Sequence, residues 1–483
     1  MRRIIFASLL SCALSGCTVG PDFHRPDLPN VGNYVSSTDP VPVGITYRSA
    51  NPSSVRWWQA FGCPALNEFV DQAIAHNRTL QASDATLTAA RETVRAVAGA
   101  QLPQVGVNGQ AAQEEVNLAN YGFEGLVPGG NPEFHLYSVG GGVSYDIDLF
   151  GRGRRQVEQA RANGEAQLHE TEAAHLTIAG QVVNQVLTIA GIRAQMAIVD
   201  SLLADDRKNT DLSQKRMQAG DGTLVEVLSA QSQYAADRTQ IPDLQQRLAQ
   251  SRHTLAILLG VAPATLGATD FDLAQFRLPM DIPVALPSSL VHQRPDILEA
   301  EADLHAATAA VGIATARLYP DISIGATLTQ AASGAGNIFK DAFRGYDLFA
   351  GLTAPIFSGG TLKAQRNEAV ANARSADATY QQTVLVAFGQ VADLLTTLRT
   401  DSDAVSDQRQ AANVASHALQ LSRQSFDVGD AGILQVLDTE RLYQQATSGL
   451  AAAQTRQYVN VARLYVATAG GWAEPGPQVT RAR

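Results

Sequence analysis

Few side chains in this 483-residue chain have the types and spacing that chemistry requires. The nine histidines are scattered, and His169 and His175 stand six apart, which does not put them on one helical face. No His-Glu-x-x-His, Cys-x-x-Cys, phosphate loop or Gly-x-Ser-x-Gly elbow occurs, so the pattern is that of a non-enzyme with no metal site and no cofactor beyond a covalent lipid. The Gly140-Gly141-Gly142 run lies in a strand pattern, where it lets a wall pack closely. With 46 acidic residues against 36 basic ones and no sizeable Lys/Arg cluster, the chain offers nucleic acid no basic face. The short run Arg152, Arg154, Arg155 fits a solvated helix start or a membrane-interface anchor. Three cysteines are too few for a disulfide framework, and Cys63 reads as a small packed residue. Two features remain: Cys17, set for covalent modification, and the acidic residues of a turn that occurs twice.

Arg2 and Arg3 precede the apolar run Ile4–Leu14, which is too short for the ~20 residues that span a bilayer. Residues 1–16 therefore read as an export signal. Leu14-Ser15-Gly16-Cys17 resembles the bacterial lipobox, whose cysteine becomes N-terminal and lipid-modified, for instance with palmitate. An ordinary signal peptide with an incidental cysteine is the alternative. Leu9-Leu10-Ser11-Cys12 competes, with too short an apolar run before it. Thr18 rather than Asp after Cys17 favours the outer membrane.

The repeated turn is Gly220-Asp221-Gly-Thr-Leu-Val-Glu226-Val-Leu-Ser229, matched 209 residues later by Gly429-Asp430-Ala-Gly-Ile-Leu434-Gln435-Val-Leu-Asp438. Each copy reads as a tight turn feeding a helix. Gly180-Gln181-Val182 and Gly389-Gln390-Val391 keep the same offset, so the chain is two related halves. The halves are bounded as 65–262 and 294–469. Before them lies 17–64, between them the connector 263–293, and after them the Pro-rich tail 470–483.

Each half alternates helices and strands. A helix is expected from about Ala65 to Ala100, ended by Pro103, and another from Arg294-Pro295-Asp296 to Pro320. Strands are expected over about 103–113 and 136–150, and over about 320–330 and 346–357. On the second of these, Tyr137, Val139, Val143, Tyr145, Ile147 and Leu149 share one face, with small and acidic residues opposite. On the fourth, Tyr346, Leu348, Leu352 and Ile356 share one. A soluble sandwich gives such alternation too. Aromatic ends behind an export signal instead suit lipid outside and water inside. Residues 114–134 read as an exposed loop. Helices of 35–60 residues follow in each half, with a bend or break at Pro242. Four strands cannot close a membrane barrel, and an open edge in lipid leaves backbone groups unpaired. Two copies would give eight strands, a filled interior, and three would give twelve, room for a pore.

Trp57-Trp58-Gln59-Ala60-Phe61-Gly62 with Ala65-Leu66 resembles the N-terminal signature of outer-membrane channel lipoproteins of tripartite RND efflux systems, the NodT-type branch of the TolC-like outer membrane factors. So do Asp148-Leu149-Phe150-Gly151-Arg152, Val157–Ala162, Arg294-Pro295-Asp296-Ile297 and Tyr319-Pro320-Asp321-Ile322-Ser323. The resemblance implies a mixed α and β membrane protein in which a duplicated unit gives four strands per chain to a trimeric twelve-stranded outer-membrane β-barrel. A long periplasmic α-helical barrel continues it, and a collar forms from the N-terminal segment, connector and tail. It implies a homotrimer working with a periplasmic adaptor and an inner-membrane RND transporter to export drugs or toxic compounds. A duct for type I protein secretion is the alternative. It places Gly220, Asp221, Gly429 and Asp430 at hairpin tips facing the adaptor. It makes Leu434 and Asp438 aperture rings, apolar and negative, with Arg441 and Glu440 tying the helix to its neighbours by ion pairs. Phe426, at a position where relatives carry an aromatic, is placed with the same aperture. Cys63 departs from the polar residue usual there.

Overall fold

A computed structural model describes residues 18–27, 31–36, 38, 45–48, 56–116, 132–267, 270–279, 282–285, 287–340 and 344–468. The export signal, Cys17, most of the 114–134 loop and the tail from 470 lie outside the described residues. In chain order the elements are β1 (Ile45–Arg48), α1 (Pro64–His76), α2 (Arg78–Gly99), β2 (Gln104–Glu115), β3 (Glu133–Ile147) and α3 (Arg152–Ala219). Then come α4 (Leu224–Arg238), α5 (Gln240–Leu258), β4 (Ile282–Ala285), α6 (Pro287–Leu290) and α7 (Pro295–Ala316). The last four are β5 (Asp321–Ala332), β6 (Arg344–Thr353), α8 (Thr361–Asp427) and α9 (Ile433–Thr468). The chain forms two compact units. One draws on Met1–Pro26, Thr88–Ala166 and Glu301–Thr379, the other on Asp27–Leu87, Gln167–Ala300 and Tyr380–Arg483. Each takes residues from both halves, so the spatial division crosses the duplication.

The first unit is built on an antiparallel sheet in the order β2-β3-β5-β6, the two halves meeting at β3 and β5. Its register lines up Val105, Val143, Ala326 and Leu348 across the four strands, and Val107, Gly141, Leu328 and Tyr346 in the next row on that face. These apolar side chains are exposed: Val107 by 82%, Tyr346 by 79% and Leu348 by 74%. From Ile147 to Tyr137 the face runs about 33 Å along the strand, roughly 25 Å at a 40° tilt, which is the height of a lipid-facing band. The opposite face carries Asn108, Gly140, Thr329 and Gly345, then Gly106, Gly142, Thr327 and Asp347. A Cβ at Gly140 would meet Thr329 Oγ1 at 3.1 Å, and one at Gly142 would meet Thr327 Cγ2 at 3.1 Å. The glycine run therefore makes room for threonines on the polar face. Two expected strand ends are shorter. β3 stops at Ile147, so Leu149 is off the sheet face: Asp148 leaves the ladder to accept the amides of Gly153 and Arg154 at the start of α3. β6 stops at Thr353, before Pro355, which has no amide to pair, and Ile356 lies beyond it.

Residues 18–26 lie along this unit in a fixed course. The Val19 amide donates to the Phe150 carbonyl at 3.2 Å. The Phe23 and His305 rings stack at 4.5 Å, and Arg25 pairs with Glu301 at 2.7 Å. Arg155 organises the segment. Its guanidinium donates to the carbonyls of Val19 and Gly20, to Asp22 at 2.7 Å and to Glu158 at 2.7 Å. For Arg155 this corrects the expectation of a solvated or membrane-interface basic run, while Arg154 stays exposed. Arg155 is only 3% exposed, Arg152 pairs with Asp321 and Arg154 with Asp148. Gly312 lies under the Arg155 chain, where a Cβ would come within 2.8 Å of its Cδ.

The second unit holds the main hydrophobic core, in which Trp57, Trp58, Phe61 and Leu66 pack with Val182–Ile192 of α3, Leu255–Leu259, Val391–Leu398 of α8 and Val461–Ala467 of α9. Trp57 stacks on Tyr465 at 5.5 Å, so the Trp-Trp motif is a packing device. The single helix expected over 65–100 is two. Asn77 breaks it, its Oδ1 accepting the amides of Thr79 and Leu80 while its Nδ2 donates to the Leu258 carbonyl. A break also precedes Pro242, at Thr239, so the proline sits in the first turn of α5, where its missing amide costs nothing. The N-terminal segment and the connector meet as a parallel pair, β1 with β4. α3 and α8, at 68 and 67 residues, exceed the expected length and rise about 100 Å each.

Replacing Arg155 by Ala removes the three hydrogen bonds by which it holds residues 19–22. Limited chymotrypsin digestion of the intact protein should then cut after Phe23 at least about tenfold faster, a loss of roughly 1.4 kcal/mol of local stability.

Candidate functional site: the paired hairpin turns

Both copies of the repeated turn close by the same backbone geometry. At the end of α3, Gly220 adopts φ 86°, its amide donates to the Met217 carbonyl at 3.1 Å, and the Asp221 amide donates to Arg216 at 2.9 Å. At the end of α8, Gly429 adopts φ 85°, with amide bonds Gly429 to Phe426 at 3.1 Å and Asp430 to Ser425 at 2.8 Å. This is the Schellman closure, in which a left-handed residue lets two amides cap the last carbonyls. Glycine is needed for the backbone alone, since a Cβ at either position meets nothing within 4 Å. Asp221 and Asp430 are exposed and contribute their amides.

The copies differ in how the next helix begins. Thr223 and Glu226 form a reciprocal capping box at α4, with the Thr223 amide donating to Glu226 at 2.8 Å. α9 has Gly432 and Gln435 at the matching positions. Glu226 is thus committed to its own helix start, and the residue of this copy that matches Asp438 is the neutral Ser229.

α9 has two faces. Ile433, Val436, Leu437 and Glu440 are buried, at spacings of three and four. Leu434 (51% exposed) and Asp438 lie four apart on the outer face. Arg441 reaches back along the same helix to Asp438 at 2.7 Å, so in this chain it is an intrahelical partner rather than a tie to a neighbour. Such an exposed pair contributes about 0.3–0.5 kcal/mol and offsets part of the Asp438 charge.

Glu440 does tie helices together, from inside. Only 3% exposed, it accepts from Arg423 of α8 at 2.7 Å and from Asn209 of α3 at 2.6 Å. Burial pushes its carboxyl above the ordinary range, opposed by those donors. Arg423 also holds Asp205 at 2.8 Å; burial acts against that carboxylate, but Arg423 and Lys208 outweigh it and keep Asp205 below its ordinary value. Phe426 does not face a lumen. It is 7% exposed and packs with Ala230, Leu419, Ile433, Val436 and Leu437, with the Arg216 guanidinium 4.8 Å from its ring centroid. Reading the sequence missed Arg423, Asn209 and Asp205, because no local pattern marks residues that meet from separate helices.

Residues 69–261 and 286–470 match the model of the outer membrane efflux protein family, in two stretches that follow the two halves. The pyoverdine export outer membrane protein OpmQ of Pseudomonas aeruginosa is 30% identical over 426 residues, covering 88% of this chain and 89% of that protein. The cation efflux system protein CusC of Escherichia coli is 26% identical over 466 residues, covering 96% and 97%. Among solved structures, the outer-membrane channel OprN is similar with a TM-score of 0.85 at 28% identity, over 94% of this chain and 100% of that one. These likenesses favour efflux over protein secretion. The chain belongs to the outer membrane efflux protein family: an outer-membrane channel that gives four strands per copy to a twelve-stranded barrel of three copies, continued by long periplasmic helices.

Proposed function

We propose that this channel is the passive exit duct of a tripartite pump, a homotrimer supplied by a periplasmic adaptor and an inner-membrane RND transporter, and gated at its periplasmic tip. One observation carries the gate: α9 keeps Leu434 and Asp438 on its outer face while the face beside them is locked into the core by Glu440 and Leu437. In a trimer, three Leu434 side chains make an apolar constriction and three Asp438 carboxylates make a cation-selective ring. Arg441, paired to Asp438, tempers that ring. Gly220, Asp221, Gly429 and Asp430 end the hairpins at an exposed, sterically open surface suited to adaptor contact.

Cys17 is the proposed lipid anchor, on the strength of the Leu14-Ser15-Gly16-Cys17 sequence behind an export signal. The cargo is small toxic molecules. The relatives' names cover pyoverdine export, cation efflux and toluene efflux at similar identity, which fits a duct whose selectivity comes from the pump.

Planar-bilayer recording tests the gate. Asp438→Asn should lower cation selectivity and raise leak conductance severalfold, whereas Arg441→Ala should raise cation selectivity by freeing the carboxylates. Unchanged reversal potentials in both variants would count against the gate. Cys17→Ser should abolish incorporation of radiolabelled palmitate into the protein, and persistent labelling would remove the anchor assignment. A drug-susceptibility panel on a deletion strain should show several-fold sensitisation to amphiphilic toxic compounds.

A further inference from the structure

Within the helical unit, three helices bring carboxyl groups together with fewer cations than carboxylates. Asp206 of α3 is 0% exposed, Asp237 of α4 is 5% and Glu440 of α9 is 3%. Arg423 of α8 is the cation facing them, and its guanidinium is taken by Asp205 and Glu440. Lys208 pairs with Asp205 on the outer side. Asp237 accepts amide hydrogens from Gln233 at 2.6 Å and, from α5, Gln240 at 2.9 Å. The second oxygen of Glu440 is held by Asn209.

Asp206 is left over. Neither of its carboxylate oxygens has a donor, although it lies in hydrogen-bonding reach of Asp237. A buried carboxylate with no donor and two acidic neighbours is strongly disfavoured, and a proton resolves the conflict. The protonated acid donates to Asp237, so repulsion between α3 and α4 becomes a hydrogen bond. Burial first, then the charges of Asp237 and Glu440, push the Asp206 carboxyl up to about 7. No group of side chains suited to a metal ion occurs among the described residues, so the ligand is the proton itself.

We propose that Asp206 and Asp237 form a proton-binding joint: the bound proton ties α3 to α4, and its loss to water leaves two facing carboxylates that loosen α3, α4 and α9. Asp206 is 14 residues from Gly220, about 20 Å along the helix, so loosening there alters the tip. That last link rests on the channel reading; the joint does not. Because the folded joint raises the Asp206 value, its stability is full below the ordinary carboxyl range, falls as pH rises towards about 7 and is flat above.

Hydrogen exchange of the intact protein in detergent, corrected for intrinsic rates, reads the joint directly. Amides of residues 203–212 and 232–242 should open about 50-fold more readily at pH 7 than at pH 5, with little further change above pH 8. Asp206→Asn should flatten that dependence to within about twofold, and Asp237→Asn should weaken it by removing the facing charge and supplying a neutral donor. Asp438→Asn, outside the joint, should keep it. A wild-type protein without the pH slope, a slope surviving in Asp206→Asn, or an undiminished slope in Asp237→Asn would overturn the proposal. Neither result bears on whether the protein conducts.

Discussion

An unpaired strand edge cannot stand in hydrocarbon, since each bare amide or carbonyl there costs several kcal/mol. β2 and β6 are both edges of the four-stranded sheet, yet the sheet carries an exposed apolar face running from Ile147 past Leu328 to Tyr137. Only pairing β6 of one copy with β2 of the next removes both edges, and three copies close the ring. The rest of the architecture follows from that closure. The duplication supplies two hairpins per chain, and β3 to β5 is the seam where they join. The helices α3 and α8 then continue from the strands, with Asp148 and the glycines Gly151, Gly359 and Gly360 managing the change from ladder to helix.

Near-identical turns serve unequal ends. Gly220 and Gly429 close their helices by the same two hydrogen bonds, but the helices that follow present different faces. Leu228 of α4 is 54% exposed, while Leu437, its counterpart in α9, is 7% exposed. Glu440 accounts for much of this. A buried carboxylate must be held by donors, so its bonds to Arg423 and Asn209 fix the rotation of α9 and thereby turn Leu434 and Asp438 outward. Gln231, the matching residue of α4, is exposed. Divergence of a few buried polar contacts has left the two hairpins presenting different faces.

Much of this was legible in the chain itself. Period-two alternation, the 209-residue offset and positive-φ glycines are local signals, and local sterics and hydrophobic burial write them directly into residue order. They determined the duplication, the four strands, the tight turns and the need for other copies. What tertiary structure alone decided is where charge goes once helices pack. Arg155 reads as a surface cation but is buried against the backbone of residues 19 and 20. Phe426 reads as an aperture residue but fills a small core. Asp206 is one aspartate among many in sequence, and the only one of its neighbours without a donor in space. Burial and pairing depend on which side chains meet from segments far apart, and nothing in one segment records what will face it.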